Sequence, residues 1–334
     1  MAVRVPPHLC NRDAATLAPA AGLAHVTTDQ PGIGRRRRGT SFTYTDAFGK
    51  KVSKRDLARI EALVIPPAWK QVWICPVADG YLQATGVDEA GRTQYRYHED
   101  YREFCEAQKF ERLAYFGRGI VVLRKAMAAA LDEPVGHRDH AVAAALRLID
   151  ECLLRVGNHQ SADKGHYGAT TLTVEHVVSD GEVVLEYIAK SGKERTILIE
   201  DEDLAELLTE LAADADDELF WFDVDGGGRR RATASDVNRF IEEHAGDAFS
   251  ARDFRTWGGS SVALAARASG ERLLDAIDAA AEELGNTRSV ARSSYIHPAV
   301  QQATDDEIDA VWSSSRSSRW LDRSESALAK LIAG

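Results

Sequence analysis

The spacing of apolar residues changes once along the chain, near Cys105, and this change limits the folds that the sequence can adopt. Before it stand short runs typical of strands, separated by turn residues: VWICP, YLQATGVD and TQYRYH. After it, apolar residues recur every three or four positions over long stretches, as in amphipathic helices. The sequence predicts an α+β protein with a small β-rich amino-terminal domain and a larger, mainly helical domain.

Three segments are predicted from this change and from the turn-forming residues. Residues 1–40 are expected to form a basic arm or loop at the start of the amino-terminal domain, because PGIGRRRRG holds many glycines and like charges. Residues 41–105 should form the β-rich domain, with one short helix that ends before Pro66 and Pro67. Residues 106–334 should form the helical domain.

Strand-like runs interrupt the helical domain. They read TTLTVEHV, EVVLEYIAK and ERTILIED, and the SGK turn between the last two indicates a β-hairpin. Further on, DGGGRRRAT is expected to be a flexible basic connection. Helical patterns follow it, ending with the long stretch from TDDEIDAVW to SALAKLI.

The charge is unevenly distributed along the chain. The net charge of -11 argues against a nucleic-acid partner, because Lys and Arg contacts to phosphate dominate such binding. However, residues 1–60 carry eleven Lys or Arg against four Asp, and residues 200–218 carry ten acidic residues and no base. This segregation fits a protein with one face toward DNA, and it also fits basic ends that are merely solvated.

Other classes of protein are disfavoured. No window approaches the run of about 18 apolar residues that crosses a membrane, and the first residues lack the apolar core of a signal peptide, so we expect a cytosolic protein. The cysteines are scattered, without Cys-x-x-Cys pairs or zinc-finger spacing, which favours free thiols. They are Cys10, Cys75, Cys105 and Cys152.

Four stretches contain the residue types needed to cut a phosphodiester without a metal: LLRVGNH, YIAKSGKERT, ARDFRTWGG and ELGNTRSVARSSYIHP. Arginine grips phosphate oxygens and stays charged, and a cationic acid protonates the leaving oxygen. Tyrosine is a nucleophile whose phosphate ester keeps the energy for resealing. Taken alone, each stretch has another explanation, such as an arginine at the C-terminal end of a helix or a packed tyrosine.

Together and in this order, the stretches resemble the motifs of bacterial, poxvirus-like type IB DNA topoisomerases. The likeness covers most of the chain, from about Gly22 to the C-terminus. It implies the helical catalytic fold that these enzymes share with tyrosine recombinases. It also implies relaxation of supercoiled DNA through a 3′-phosphotyrosine intermediate, strand swivelling and religation, with no metal, ATP or other cofactor.

The resemblance implies a role for each matching residue. Tyr295 would be the nucleophile and Lys190 the general acid toward the 5′ oxygen. Arg155, Arg255 and Asn286 would stabilise the charge that develops on the phosphate. Asparagine at this last position, where many relatives have histidine, can donate a hydrogen bond but cannot act as a charged acid. The base that accepts the Tyr295 proton is not evident from the sequence.

Some positions depart from the family pattern. Ala189 stands where relatives often have glycine before the lysine, which loosens the assignment of Lys190. The nearby Lys193 is an alternative candidate, as a phosphate contact or a solvated turn residue. Ser161 stands where relatives often have tyrosine, in a segment that is shorter than usual, so a phosphate contact is expected to be lost or altered there.

The resemblance also implies DNA contacts outside the catalytic set. The run GRTQYRYH resembles a DNA-facing strand of the amino-terminal module, and alternating tyrosines are otherwise ordinary on a half-buried strand. Arg252, one turn before Arg255, matches a basic position of the family. The implied DNA-binding residues are Arg92, Gln94, Tyr95, Tyr97, Lys193 and Arg252.

The expected partner is double-stranded DNA, clamped by a monomer that needs no other protein and no membrane. The same resemblance implies that the enzyme is cytoplasmic and associated with the bacterial nucleoid. Two alternatives remain at this point. A tyrosine recombinase shares the chemistry, although such enzymes carry His-x-x-Arg where this chain has Arg252-Asp-Phe-Arg255. A non-catalytic DNA-binding clamp would use no nucleophile.

Overall fold

The computed structural model describes residues 3–10, 13–179 and 181–333. The chain divides into two compact units. The N-terminal unit is Pro7–Lys109, and the C-terminal unit is Phe110–Gly334 together with Met1–Pro6. The border between them lies inside one long helix, a few residues after the boundary predicted at Cys105. No helix in the described ranges is both long and apolar enough to cross a membrane.

The N-terminal unit is built on an antiparallel sheet of five strands in the order β2-β1-β3-β4-β5. Its strands are β1 (Ile33–Arg38), β2 (Ser41–Thr45), β3 (Lys70–Ile74), β4 (Leu82–Val87) and β5 (Thr93–Tyr97). Its helices are α1 (Pro7–Cys10), α2 (Ala14–Ala20), α3 (Lys54–Ala62) and the start of α4 (Glu99–Leu131). A core of Ile33, Ile60, Ile74 and Ala84 joins α3 to the sheet.

The prediction of an arm or loop across residues 1–40 was wrong at α1, at α2 and at Ile33–Arg38, the arginine-rich segment, which is a strand. The strand pairs with β2 from Gly34 to Arg38, and the alternation of a strand separates neighbouring arginines onto opposite faces. The Arg35 guanidinium lies 4.2 Å from the centre of the Phe42 ring. It also donates hydrogen bonds of 2.6 to 3.2 Å to the main-chain oxygens of Ile65, Pro66 and Trp69. These contacts offset the repulsion between like charges.

The C-terminal unit is mainly helical, which confirms the predicted α+β class with a larger helical part. After α4 its helices are α5 (Arg138–Cys152), α6 (His159–Ala162), α7 (Glu202–Asp214), α8 (Ala234–Ala245), α9 (Ala251–Ala268), α10 (Leu273–Glu283), α11 (Arg288–Ser294), α12 (Pro298–Gln302), α13 (Asp305–Ser314) and α14 (Arg323–Ala333). Its strands are β6 (Val177–Ser179), β7 (Val183–Ala189), β8 (Lys193–Leu198), β9 (Trp221–Asp223) and β10 (Arg229–Arg231). They form the antiparallel sheets β6-β7-β8 and β9-β10.

Three local predictions need correction in this unit. The run TTLTVEHV is largely two short 3₁₀ turns, since only its last residue belongs to β6. The segment predicted as a flexible basic connection contains β10, where Arg229 lies 3.6 Å from the centre of the Trp221 ring and is held there by stacking. The long helical stretch at the end of the chain is two helices, α13 and α14.

A buried ionic network connects helices of the C-terminal unit. Arg124 on α4 donates to both carboxylate oxygens of Asp150 on α5, at 2.7 and 2.9 Å. It also donates to both carboxylate oxygens of Glu325 on α14, at 2.7 and 2.8 Å. Glu325 in turn accepts a hydrogen bond of 2.9 Å from the indole nitrogen of Trp257 on α9. The network thus fixes the positions of α9, which carries Arg255, and of α5, which ends shortly before Arg155.

Candidate active site

A small cavity in the C-terminal unit lies where α5, the β7–β8 hairpin, α9 and α10 meet. Side chains from each of these elements line it, among them Arg155, Tyr187, Arg195, Arg255 and Leu284. Three of the ten residues that line it are arginines, a residue type that binds anionic phosphate oxygens.

Arg155 is placed by a sharp turn at the end of α5. Leu153 ends the helix in the left-handed conformation, with φ of 50°. The main-chain oxygen of Arg155 accepts a hydrogen bond of 2.8 Å from the Ala169 N–H. Gly168 is required beside it, because a Cβ at that position would lie 2.6 Å from the same oxygen. This close approach of two chain segments fixes the main chain of Arg155.

Arg255 is a buried arginine on α9, with 3 % of its surface exposed. Its terminal nitrogens donate to the main-chain oxygens of Leu153 and Leu284, the latter at 2.9 Å. Its Nε is buried and, among the described residues, has no hydrogen-bond partner. Burial lowers the pKa of Arg255 to about 10, although the neighbouring Tyr295 acts in the opposite direction. The guanidinium therefore keeps its charge at neutral pH and has one free donor.

The two glycines that follow in Arg-Thr-Trp-Gly-Gly allow α9 to pack closely on the rest of the site. A Cβ on Gly258 would lie 2.2 Å from a methyl carbon of Leu153. A Cβ on Gly259 would lie 2.8 Å from a methyl carbon of Leu284 and 3.2 Å from the main-chain oxygen of Tyr295. The motif therefore ends in two glycines because side chains at these positions would push α9 away from the candidate nucleophile.

Tyr295 follows the last residue of α11 and is 8 % exposed. The guanidinium carbon of Arg255 lies 5.1 Å from the centre of its ring. Its main-chain oxygen accepts a hydrogen bond of 3.2 Å from the Ser260 hydroxyl on α9. The tyrosine is therefore fixed to α9 through both its ring and its main chain.

The electrostatic surroundings of Tyr295 favour loss of its proton. Burial alone would raise the pKa of the phenol. The positive charges of Arg255, Arg252 and Arg155 and a hydrogen bond with Arg255 outweigh burial, so the pKa of Tyr295 falls below its ordinary value of 10.0. Arg252 itself is exposed in the first turn of α9.

Asn286 joins this group from the turn after α10. Its Oδ1 accepts a hydrogen bond from Nη2 of Arg155. Its Nδ2 is buried and lacks a hydrogen-bond partner within the part of the chain that the structure describes. An unpaired buried donor is costly unless a ligand completes it, so Nδ2 is a second free donor at the site.

The two candidate lysines lie on the β7–β8 hairpin. Lys190 opens the short 3₁₀ turn between the strands, and its side chain is exposed. The residue before it, Ala189, lines the cavity. Lys193 begins β8 and lines a different cavity, together with Glu282 and Glu283. Mutual contacts thus bring four candidate catalytic residues together, while Lys190 lies at the hairpin tip. The four residues are Arg155, Arg255, Asn286 and Tyr295, of which Arg155 and Arg255 line the cavity.

The candidate DNA-binding residues of the N-terminal unit lie on β5 and the turn before it. Arg92 forms an ion pair of 2.8 Å with Asp88, and Gln94 donates to the same carboxylate at 2.9 Å. Tyr95 and Tyr97 are 51 % and 41 % exposed. Their rings stack with centres 6.0 Å apart. This strand thus presents a pair of exposed aromatic rings to solvent.

Sequence reasoning missed three polar residues that line the cavity, Tyr167, Tyr187 and Arg195. Tyr187 and Arg195 are on the hairpin. They stand opposite each other in the β7–β8 pairing. Tyr187 lies two residues before Ala189, so strand alternation places both on the face that lines the cavity. That alternation was the available signal. Within the described ranges, no three His, Cys, Asp or Glu side chains are grouped to hold a metal ion.

Two family models and one named relative match the sequence of this chain. Residues 98–319 match the family described as eukaryotic DNA topoisomerase I, catalytic core. Residues 41–88 match the family described as bacterial DNA topoisomerase IB, N-terminal domain. The chain is also 30 % identical over 285 residues to the DNA topoisomerase 1B of Acanthamoeba polyphaga mimivirus. The aligned region covers 79 % of this chain and 85 % of that protein. The resemblance inferred from the motifs is confirmed, and the chain belongs to the type IB DNA topoisomerase family, whose members are ATP-independent type I enzymes.

Proposed function

We propose that this protein relaxes supercoiled double-stranded DNA, as a monomer, by cutting and resealing one strand. The Tyr295 oxygen attacks a backbone phosphorus, a 3′-phosphotyrosine bond forms, and the bond to the 5′ oxygen breaks. The freed 5′ end rotates and relieves the torsion of the duplex. The 5′ hydroxyl then attacks the phosphotyrosine and restores the strand, so no metal or ATP is consumed.

The observation that carries this proposal is the placement of Tyr295 beside Arg255, with the ring centre 5.1 Å from the guanidinium carbon. A phenol is a weak nucleophile at neutral pH because it keeps its proton. Here the charges of Arg255, Arg252 and Arg155 lower the pKa of Tyr295 in spite of burial. The arginines favour the phenolate electrostatically, which reduces the need for a dedicated base. The proton is released to water.

Charge on the attacked phosphate would be stabilised by two free donors, one on a residue that lines the cavity and one on the residue that follows Gly285. These are Nε of Arg255 and Nδ2 of Asn286, both buried and, in the described ranges, without partners. Donors that are already fixed in place need no reorganisation when negative charge develops on the phosphate. The Arg155 guanidinium adds a positive charge beside Asn286, to which it donates a hydrogen bond.

We assign the proton donor for the 5′ oxygen to Lys190. Its exposed position on the hairpin turn, directly after Ala189 at the cavity, leaves it free to reach a bound DNA strand. Departure of the 5′ oxygen requires a proton, and a lysine ammonium can give one and take it back on religation. We assign Lys193 to a contact with a DNA phosphate.

The remaining DNA contacts follow from exposure and charge. Arg252 is exposed on the first turn of α9 and is assigned to a phosphate near the cut strand. In the N-terminal unit, Arg92, Gln94, Tyr95 and Tyr97 are assigned to the duplex. The exposed stacked tyrosines supply flat surfaces, whereas Arg92 and Gln94 must exchange their contacts with Asp88 for contacts to DNA.

Relaxation of supercoiled plasmid in excess EDTA tests the proposal. The intact protein should relax the plasmid and become covalently attached to it, whereas Tyr295→Phe should do neither. Tyr115→Phe, on α4, is the matched control and should behave like the intact protein. An inactive intact protein, or an active Tyr295→Phe variant, would contradict the proposal. Strand exchange between two specific sites without general relaxation would instead indicate a recombinase, and binding without cleavage a DNA clamp.

A further inference from the structure

We propose that Arg195 is a positioning residue that holds Asn286 at the active site by connecting the turn after α10 to the β7–β8 hairpin. The inference rests on the proposed function of that site. Arg195 lies on β8 and directs both terminal nitrogens to the end of α10. Nη1 donates to the main-chain oxygen of Glu282 at 2.8 Å, and Nη2 to that of Glu283 at 2.9 Å. These are the last two residues of the helix.

A cation such as Arg195 suits the end of α10. The last carbonyls of a helix lack intrahelical hydrogen bonds, and a cation there interacts favourably with the helix dipole. The chain leaves α10 through a turn with two main-chain hydrogen bonds. The Gly285 N–H donates to the oxygen of Glu282 at 2.9 Å, and the Asn286 N–H donates to the oxygen of Ala281 at 2.8 Å. This is the Schellman pattern, with Gly285 left-handed at φ of 61°. Asn286 is therefore placed by the same turn that Arg195 holds.

Gly285 also provides the space that Arg195 occupies. A Cβ at this position would lie 2.8 Å from Nη1 of Arg195. The guanidinium thus packs directly against the residue that precedes Asn286. Any displacement of Arg195 would remove both its hydrogen bonds to α10 and this packing contact from the Asn286 turn.

On its other side Arg195 belongs to the hairpin. It stands opposite the buried Tyr187 in the β7–β8 register, and both residues line the same cavity. The same hairpin carries Lys190 at its turn. Because Arg195 directs both terminal nitrogens to main-chain oxygens, it acts on the site by connecting the hairpin to the Asn286 turn.

A double-mutant cycle tests this role. The rate of a single round of DNA cleavage is measured for Arg195→Ala, Asn286→Ala and the double variant. Arg195→Ala should slow cleavage about tenfold to hundredfold, because small misplacements of catalytic groups are costly. In the Asn286→Ala background the same change should cost less than about twofold, since its effect passes through Asn286. If Arg195→Ala slowed cleavage by the same factor with and without Asn286, the proposal would be overturned.

Two further measurements exclude general effects. Affinity for duplex DNA, measured in a Tyr295→Phe background, should change by less than about twofold on Arg195→Ala. An affinity loss as large as the rate loss would show that Arg195 binds DNA and would overturn the proposal. The control is Arg229→Ala, which removes an arginine that donates at 2.7 Å to the main-chain oxygen of Asp214, the last residue of α7. It should leave the cleavage rate unchanged.

Hydrogen exchange tests the positioning separately from activity. Arg195→Ala should speed amide exchange in residues 281–287 of the folded protein about tenfold or more, whereas Arg229→Ala should leave that segment unchanged. Unchanged exchange in Arg195→Ala would overturn the positioning role. If the intact protein cleaves no DNA, the proposed function fails, and hydrogen exchange still decides whether Arg195 holds the turn.

Discussion

The guanidinium carbon of Arg255 lies 5.1 Å from the centre of the Tyr295 ring, so the residue expected to grip phosphate also acts on the nucleophile. It does not act alone. Burial raises the pKa of Tyr295, and the charges of Arg255, Arg252 and Arg155 lower it further than burial raises it. Of these three arginines, Arg252 is exposed, which makes it the one whose removal disturbs the packing least.

We expect Arg252→Ala to move the pH dependence of cleavage to higher pH. The phenolate is the reactive form, so the rate rises as pH passes through the pKa of Tyr295, and loss of a nearby positive charge raises that pKa. The measurements are the single-turnover cleavage rate against pH and the phenolate absorbance, taken as the difference from Tyr295→Phe. Arg272→Ala, an exposed arginine paired with Asp275, is the control. An unshifted profile in Arg252→Ala would contradict the electrostatic account.

Asn286 should tolerate histidine but not aspartate. Its unpaired Nδ2 is a hydrogen-bond donor, and a carboxylate in its place would repel both the phosphate and its developing charge. Loss of one such donor slows catalysis about hundredfold or more in comparable sites. Asn286→Asp should show at least this loss of cleavage rate, whereas Asn286→His, which keeps a ring N–H, should retain most of the activity. Equal rates for the two variants would argue against a donor role.

Gly258→Ala should destabilise the C-terminal unit. The new methyl group would lie 2.2 Å from a Leu153 methyl carbon, and Leu153 is itself buried at the end of α5. Overpacking of this kind costs about 1–3 kcal/mol of unfolding free energy. Chemical denaturation monitored by tryptophan fluorescence measures the effect. Gly34→Ala is the control, because no atom lies within 4 Å of its Cβ position, and its loss should be clearly smaller.

Two neighbouring arginines of β1 should differ in role: Arg35 should stabilise the fold, and Arg36 should be available to bind DNA. Arg35 makes three main-chain hydrogen bonds and stacks on Phe42, so Arg35→Ala should lower the stability of the N-terminal unit by about 1–3 kcal/mol. The neighbouring Arg36 is exposed, and Arg36→Ala should leave the stability nearly unchanged. If Arg36 contacts a phosphate, its loss should reduce the salt dependence of DNA binding by about one unit of slope. Equal stability of the two variants would contradict this separation.

Local patterns predicted much of the fold. The long helix α4, the β7–β8 hairpin and the strands β3 to β5 follow from periodicity and turn residues, which act between neighbours in the chain. The arginine-rich strand β1 was missed because its stabilising partners, Phe42 and the carbonyls near Pro66, come from other elements. A run of like charges gives no local sign of such partners.

The sequence by itself determined the candidate residue types, their order and the family to which the chain belongs. Only the tertiary structure decided that Arg155, Arg255, Asn286 and Tyr295 meet at one place. Their meeting depends on close packing of α9 against Leu153 and Leu284, which Gly258 and Gly259 permit. The role inferred for Arg195 likewise depends on contacts with carbonyls nearly ninety residues away. Such contacts arise from packing between distant segments, and no periodicity along the chain encodes them.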